Sequence, residues 1–157
     1  MENECCPQFD PKPWEDHEFT WEDKLFVKDR LRSFLHIPLN FGAIMTRQMK
    51  VMEAAGACPD AKDFLVMTGN ETLWGADVYL AATKEVPGEK MVRLSGTFLS
   101  RVYEGSYSQM GRWIADFKAA LEKSGKPVSE LFFYYTTCPK CAKKWGKNYV
   151  VIIGRLK

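Results

Sequence analysis

Apolar residues recur at three- and four-residue steps from Phe41 through Ile44, Met45, Met49 and Met52 to Ala55, and Gly56 follows. That spacing predicts an amphipathic helix over 41–55 with a glycine stop. The pattern on either side has the other period. Arg30 to Ile37 is an apolar run ending at Pro38, which suits a strand running into a turn. Asp63 to Thr68 and Asp77 to Thr83 read as two strands around a Gly69-Asn70 turn. Further along the order repeats: a strand over 91–102, a helix over 106–123 closed by Gly125, then strands over 130–137 and 149–156.

Short blocks recur in the same order. Ser33-Phe34-Leu35 returns as Thr97-Phe98-Leu99, Met45-Thr46-Arg47 as Met110-Gly111-Arg112, and FLVMT from Phe64 as FFYYT from Phe132. Trp74-Gly75 followed by Asp77-Val78-Tyr79-Leu80 returns as Trp145-Gly146 followed by Asn148-Tyr149-Val150-Val151. The expected fold is therefore α+β: a tandem, pseudo-twofold duplication of a β-α-β-β unit, with an antiparallel sheet and two main helices. The first unit covers 25–84 and the second 90–157. Residues 1–24, rich in Pro, acid and Trp, form an extension expected to wrap the surface with Trp14, Phe19 and Trp21 tucked in. A crevice between two such copies is where both could present side chains to one ligand.

Composition narrows the partners. With 157 residues and 46% hydrophobic content the chain can bury a core unaided. Its 22 basic against 20 acidic residues leave a formal charge of +2, too small for the electrostatic footprint of phosphate-backbone binding, so no nucleic acid is expected. No basic start leads into an apolar stretch and no run reaches about 18 apolar residues, so neither export nor membrane association is expected and the location is cytoplasmic. Five Trp, six Tyr and ten Phe are more rings than a core of this size requires, so some are expected to line a cavity, the alternative being ordinary core filling.

In its C-terminal third the chain opens a strand with Glu130, places Pro139 nine residues on, and begins the approach to the last strand with Trp145; upstream, Gly105-Ser106-Tyr107 puts an aromatic residue just after a glycine at a helix start. With these spacings the chain resembles the GyrI-like family, the effector-binding domains of bacterial multidrug-responsive regulators, from about residue 25 to the end. Two departures from the family are expected: no DNA-binding module ahead of the domain, and Cys138-Pro139-Lys140-Cys141 where a polar loop is usual. CCPQFDPKPW, ending at Trp14, together with CPKC, looks like a stand-alone hydrolase group within that family. The resemblance implies a hydrophobic aromatic small molecule as partner, and an enzyme that opens the cyclopropane ring of planar aromatic DNA-alkylating compounds in an aromatic cage; the alternative is a protein that sequesters drugs or toxins unaltered. A third reading is an interaction module that inhibits a protein partner, as some relatives do with DNA gyrase.

A carboxylate at the lip of such a cage has two uses. Glu130 could pair with a cationic ligand while rings stack on it, or direct a water onto a strained carbon as a general base; the plainer alternative is a solvated charge at a strand start. Tyr107 could donate its phenolic proton to a ligand oxygen that gains charge, or simply pack. Trp74 and Trp145, equivalent in the repeat, could wall the cage or plug their own hairpins. Strand alternation puts Glu130, Phe132 and Tyr134 on one face and Leu131, Phe133 and Tyr135 on the other, which favours Tyr134 as the ligand contact. Phe41 and Tyr79 are the candidates from the first unit.

No cofactor is expected. CPKC is half of a zinc site and Cys5-Cys6 would have to complete it, yet adjacent cysteines seldom both reach one tetrahedral metal; structural zinc stays the alternative. Cys58 reads as a loop thiol. His17 and His36 sit in no nucleophile motif.

Overall fold

Both helices end in the same way, and the sequence dictates how. The computed structural model describes residues 12–34, 37–59, 65–105, 109–135 and 149–156. Helix α1 spans Phe41–Ala55 and α2 spans Met110–Lys123. After α1, Gly56 takes φ +66; its N–H donates to the Glu53 carbonyl at 3.0 Å and that of Ala57 to Met52 at 2.8 Å. After α2, Gly125 takes φ +72, and Gly125 and Lys126 repeat the two bonds to Glu122 and Leu121 at 3.0 and 2.8 Å. A left-handed residue with these paired bonds satisfies the last carbonyls of a helix, and only glycine adopts it without a Cβ penalty.

The strands are β1 (His17–Phe34), β2 (Ile37–Pro38), β3 (Val66–Thr72), β4 (Gly75–Ala81), β5 (Met91–Glu104), β6 (Val128–Tyr135) and β7 (Tyr149–Leu156). The fold is thus α+β, with two helices and antiparallel sheet pairing. The chain divides into two compact units, 21–96 and 1–20 with 97–157. In the first, β4 lies between β1 and β3, with β2 on the outer side of β1. In the second, β7 lies between β5 and β6. Each unit therefore contains strand, helix and hairpin in that order, with the last strand at the centre.

Two differences from the sequence reading have clear causes. β1 starts at His17, far ahead of Arg30: Leu25, Phe26 and Val27 are buried within it, but Glu18, Glu22, Asp23 and Lys24 break the apolar pattern before them. The first hairpin turns at Leu73-Trp74 and not at Gly69-Asn70. Asn70 instead takes φ +50 inside a bulge of β3, its amide donating to Asp77 at 2.8 Å, and the chain turns only at the exposed Leu73-Trp74 ahead of Gly75.

Each helix covers one face of its unit's strands. In the 21–96 unit Val27, Leu31, Ile44, Met52, Ala76, Val78 and Leu80 are buried together. In the other, Trp113, Phe117 and Leu121 of α2 pack on Phe133, Val150 and Ile152. One charged pair stands in each helix–strand layer. Asp29 of β1, between Val27 and Leu31, accepts from Arg47 of α1 at 2.6 Å; Arg101 of β5, between Leu99 and Tyr103, donates to Asp116 of α2 at 3.3 Å. The contact recurs at matching places in strand and helix with its polarity reversed. Next to Arg47, the fully buried Gln48 donates to Asp29 and Glu89, each at 2.9 Å. Burial works to raise the Asp29 pKa, but the bonds from Gln48, the Arg30 N–H and Arg47 outweigh it and hold that carboxyl below the usual range. None of the described helices is long and apolar enough to cross a membrane.

Candidate functional site

The face of β5, β7 and β6 turned away from α2 is fixed by register. Phe98, Arg155 and Glu130 stand in one cross-strand row; Ser100, Ile153 and Phe132 form the next; Val102, Val151 and Tyr134 the third. Rows are roughly 7 Å apart along the strands and neighbours about 4.8 Å apart across them. Glu130, Phe132 and Tyr134 share this face, and the register shift between Val128 and Glu130 precedes all three, so their alternation is undisturbed. Phe98, Ser100, Ile153 and Val151 are fully buried and Phe132 nearly so. The result is an apolar, ring-bearing face with one charged edge.

At that edge the Arg155 guanidinium donates to Glu130 Oε1 at 3.0 Å, and each side chain is 35% exposed. Water therefore reaches the carboxylate while the neighbouring rows exclude it. The pairing fixes the direction of the carboxylate and sets a cation beside any oxyanion formed there.

The rings continue onto the chain before and within the start of β1. Phe19 stacks on Phe98 at 5.8 Å with planes 11° apart, and Phe98 lies 6.4 Å from Phe132. Trp14, on a 3-10 turn over Lys12–Trp14, meets Phe19 edge-on at 5.8 Å and Tyr134 at 5.6 Å. His17 stacks on Phe19 at 5.9 Å. Trp14 and Phe19 are half-buried, as their aromatic character in a polar extension leads one to expect.

Of the other residues singled out from sequence, Tyr79 and Trp74 belong to the 21–96 unit. Tyr79 is buried, with Phe26 edge-on at 6.2 Å and the Lys28 ammonium 5.9 Å from its ring. Trp74 is 60% exposed at the hairpin tip, its ring 5.8 Å from Phe34. Phe41 opens α1, with its side chain outside the description. Tyr107, Trp145, Cys5, Cys6, Cys138, Cys141 and His36 lie outside the described residues. On the corresponding face of the 21–96 unit Asp77 is met by Lys28 at 3.5 Å, Arg30 at 3.2 Å and Asn70 at 2.8 Å, and Phe26, Met67 and Tyr79 of the same face are buried.

A cleft of about 110 Å³ lies on the helix side of the second unit, lined by Asp16, Leu99, Arg101, Phe117, Ala120, Leu121 and Ser124. It is smaller than the few hundred Å³ of ordinary ligand pockets, and its guanidinium is engaged by Asp16 at 2.6 Å and by Asp116. Beside it, burial first, then the bond to Asp116, push the Tyr103 phenol far above its usual pKa against the opposing pull of Arg101, so Tyr103 cannot act as a base. The half-buried Cys58 thiol is raised by burial and by Glu53, which makes it a poor nucleophile. Among the described residues no His, Cys, Asp and Glu group could hold a metal ion. The ring-bearing face with Glu130 is thus the candidate site.

Over residues 1–156 the sequence matches the family described as bacterial hydrolase. The chain belongs to that family. Among solved structures it is similar to an uncharacterized conserved protein from Listeria innocua, with a TM-score of 0.66 at 10% identity over 92% of this chain and 93% of that one. It is also similar to a hydrolase from Listeria innocua, with a TM-score of 0.64 at 9% identity over 92% of each chain. At these identities the likeness is one of fold. No curated protein matches the chain.

The sequence reading missed Phe98 and Arg155 as members of the site. Phe98 stood out only as part of a repeated block, and Arg155 carries no motif; both join Glu130 through strand register, which links positions far apart in the chain.

Proposed function

We propose that this bacterial hydrolase acts on planar, apolar electrophiles, opening the cyclopropane ring of aromatic DNA-alkylating compounds by attack of water. The observation that carries this is the placement of Glu130 on one face with Phe98, Phe132 and Tyr134, at its exposed edge. The resemblance to GyrI-like domains supports the same substrate class. The matching element order of the two units and their polarity-reversed strand–helix pairs support the reading of the chain as a duplication.

Glu130 takes a proton from a water whose oxygen bonds to the unsubstituted cyclopropane carbon. The carbon–carbon bond to the ring junction breaks, and its electron pair passes through the conjugated system to the carbonyl oxygen. That oxygen becomes a phenolate, to which Tyr107 donates a hydrogen bond, and the proton held by Glu130 passes through solvent to it, which balances the step. The rings hold the flat ligand in place, which accounts for part of the acceleration by orientation alone.

A second reading, sequestration, is favoured by one feature: the Glu130 oxygen facing Arg155 is already engaged. Mass spectrometry separates the two readings. With the compound in tenfold excess over protein, hydrolysis yields several ring-opened molecules per protein chain, whereas sequestration leaves the compound intact.

A further inference from the structure

Trp14 lies across the candidate site and does not sit beside it. Its carbonyl accepts from Ser100 Oγ on β5 at 2.8 Å, while its indole meets Tyr134 on β6 at 5.6 Å. Ser100 and Tyr134 stand on the two strands that flank β7, so Trp14 touches both outer strands of the face. Its indole takes up space beside Tyr134 that a flat apolar ligand stacked there would need.

Its attachment is light. Trp14 is half-buried and stands on a single 3-10 turn flanked by exposed Lys12 and Glu15, closed by a 3.4 Å bond from Glu15 to Lys12. Asp16 follows with φ +44, a left-handed conformation that a side-chain-bearing residue adopts at a cost. Among the described contacts, the turn is held by the Ser100 bond, by Asp16 to Arg101 at 2.6 Å with the Asp16 side chain 60% exposed, and by the edge-on contacts of Trp14 with Phe19 and Tyr134. An ion pair so exposed contributes little, and edge-on ring contacts contribute modestly. Segments held this way open locally at small cost.

We propose that residues 12–16 form a lid on the candidate site, with Trp14 as the ring that an uncharged, planar, bicyclic or larger ligand must displace. The inference rests on the ring-bearing face being the ligand site. The open face keeps Phe132 and Tyr134 for stacking, while the Ser100 hydroxyl, released from the Trp14 carbonyl, stays 3.3 Å from the His17 carbonyl. Closure returns the indole, so an empty site does not expose its apolar floor to water.

The test uses the full chain and a neutral planar fluorophore, N-phenyl-1-naphthylamine. If Trp14 competes with the ligand, Trp14→Ala binds the probe roughly three- to tenfold tighter than wild type. Asp16→Asn, which weakens the tie to Arg101, tightens binding by up to about fivefold, because the competent fraction rises. In a nitrogen-15 spectrum of the wild-type protein, the indole N–H signal absent from Trp14→Phe moves on addition of probe. Weaker binding in Trp14→Ala overturns the lid, making Trp14 a fixed wall. Binding with that indole signal unmoved also overturns it, while leaving the site itself in place. Absence of binding in all three proteins removes the site and the lid with it.

Discussion

Glu130→Gln is expected to lower turnover by about a hundred- to ten-thousandfold, the usual contribution of a positioned general base. Affinity for the compound should change little, because the rings supply most of the contact. Stability should hardly change either: the pair with Arg155 is partly exposed, and such pairs contribute at most about 1 kcal/mol. Glutamine keeps the shape and can still accept from Arg155, but it cannot take the proton. Steady-state rates and melting temperature measured on the same preparation separate chemistry from folding. Undiminished turnover with an unchanged melting curve would remove Glu130 from the reaction.

Phe117→Ala is expected to cost about 3–5 kcal/mol, a large fraction of the roughly 5–15 kcal/mol that stabilises an ordinary domain. Phe117 is 1% exposed and lies directly above Gly154 of β7: a Cβ added there would come within 2.8 Å of Phe117 Cε2 and 2.7 Å of Val128 Cγ1. The sheet has no side chain at that point, so the phenyl ring, with Val128 beside it, fills the space above Gly154. Removing it leaves a hollow that the backbone beneath cannot close. Urea unfolding reads the loss; a change under about 1 kcal/mol would show that the layer repacks and that this pairing of Phe with Gly matters little.

These two residues illustrate what could be read in the sequence. The helix over 41–55 and the final strand over 149–156 were legible to the residue, because a helical period stopped by Gly56 and an unbroken apolar run from Tyr149 each leave little choice of element. The placement of Glu130, Phe132 and Tyr134 on one face followed from the two-residue period alone. Hairpin geometry was less legible: Gly69-Asn70 has the composition of a turn, but the side chain of Asn70 found Asp77 and made a bulge, sending Trp74 to the hairpin tip.

The correspondence between units was partly hidden. Sequence pairs Met45 with Met110, whereas burial pairs Ile44, Gln48 and Met52 with Trp113, Phe117 and Leu121, each separated by the same interval. Matching Asp29 and Arg47 with Arg101 and Asp116 looks like mismatch in a residue-by-residue comparison, since both charges change sign. Only the spatial contact keeps the relation visible. The row Phe98, Arg155, Glu130 depends on pairing between distant segments, which local periodicity does not encode.

The central claim is that water, directed by Glu130, bonds to the substrate carbon on the ring-bearing face. Its most direct test is a single turnover in oxygen-18 water with protein in excess over a cyclopropane-bearing alkylating compound. The account predicts a ring-opened product carrying the heavy oxygen at the attacked carbon, with none formed at a comparable rate by Glu130→Gln. Product that instead carries ordinary oxygen, with the label appearing in the Glu130 carboxylate, would contradict it by making Glu130 the nucleophile.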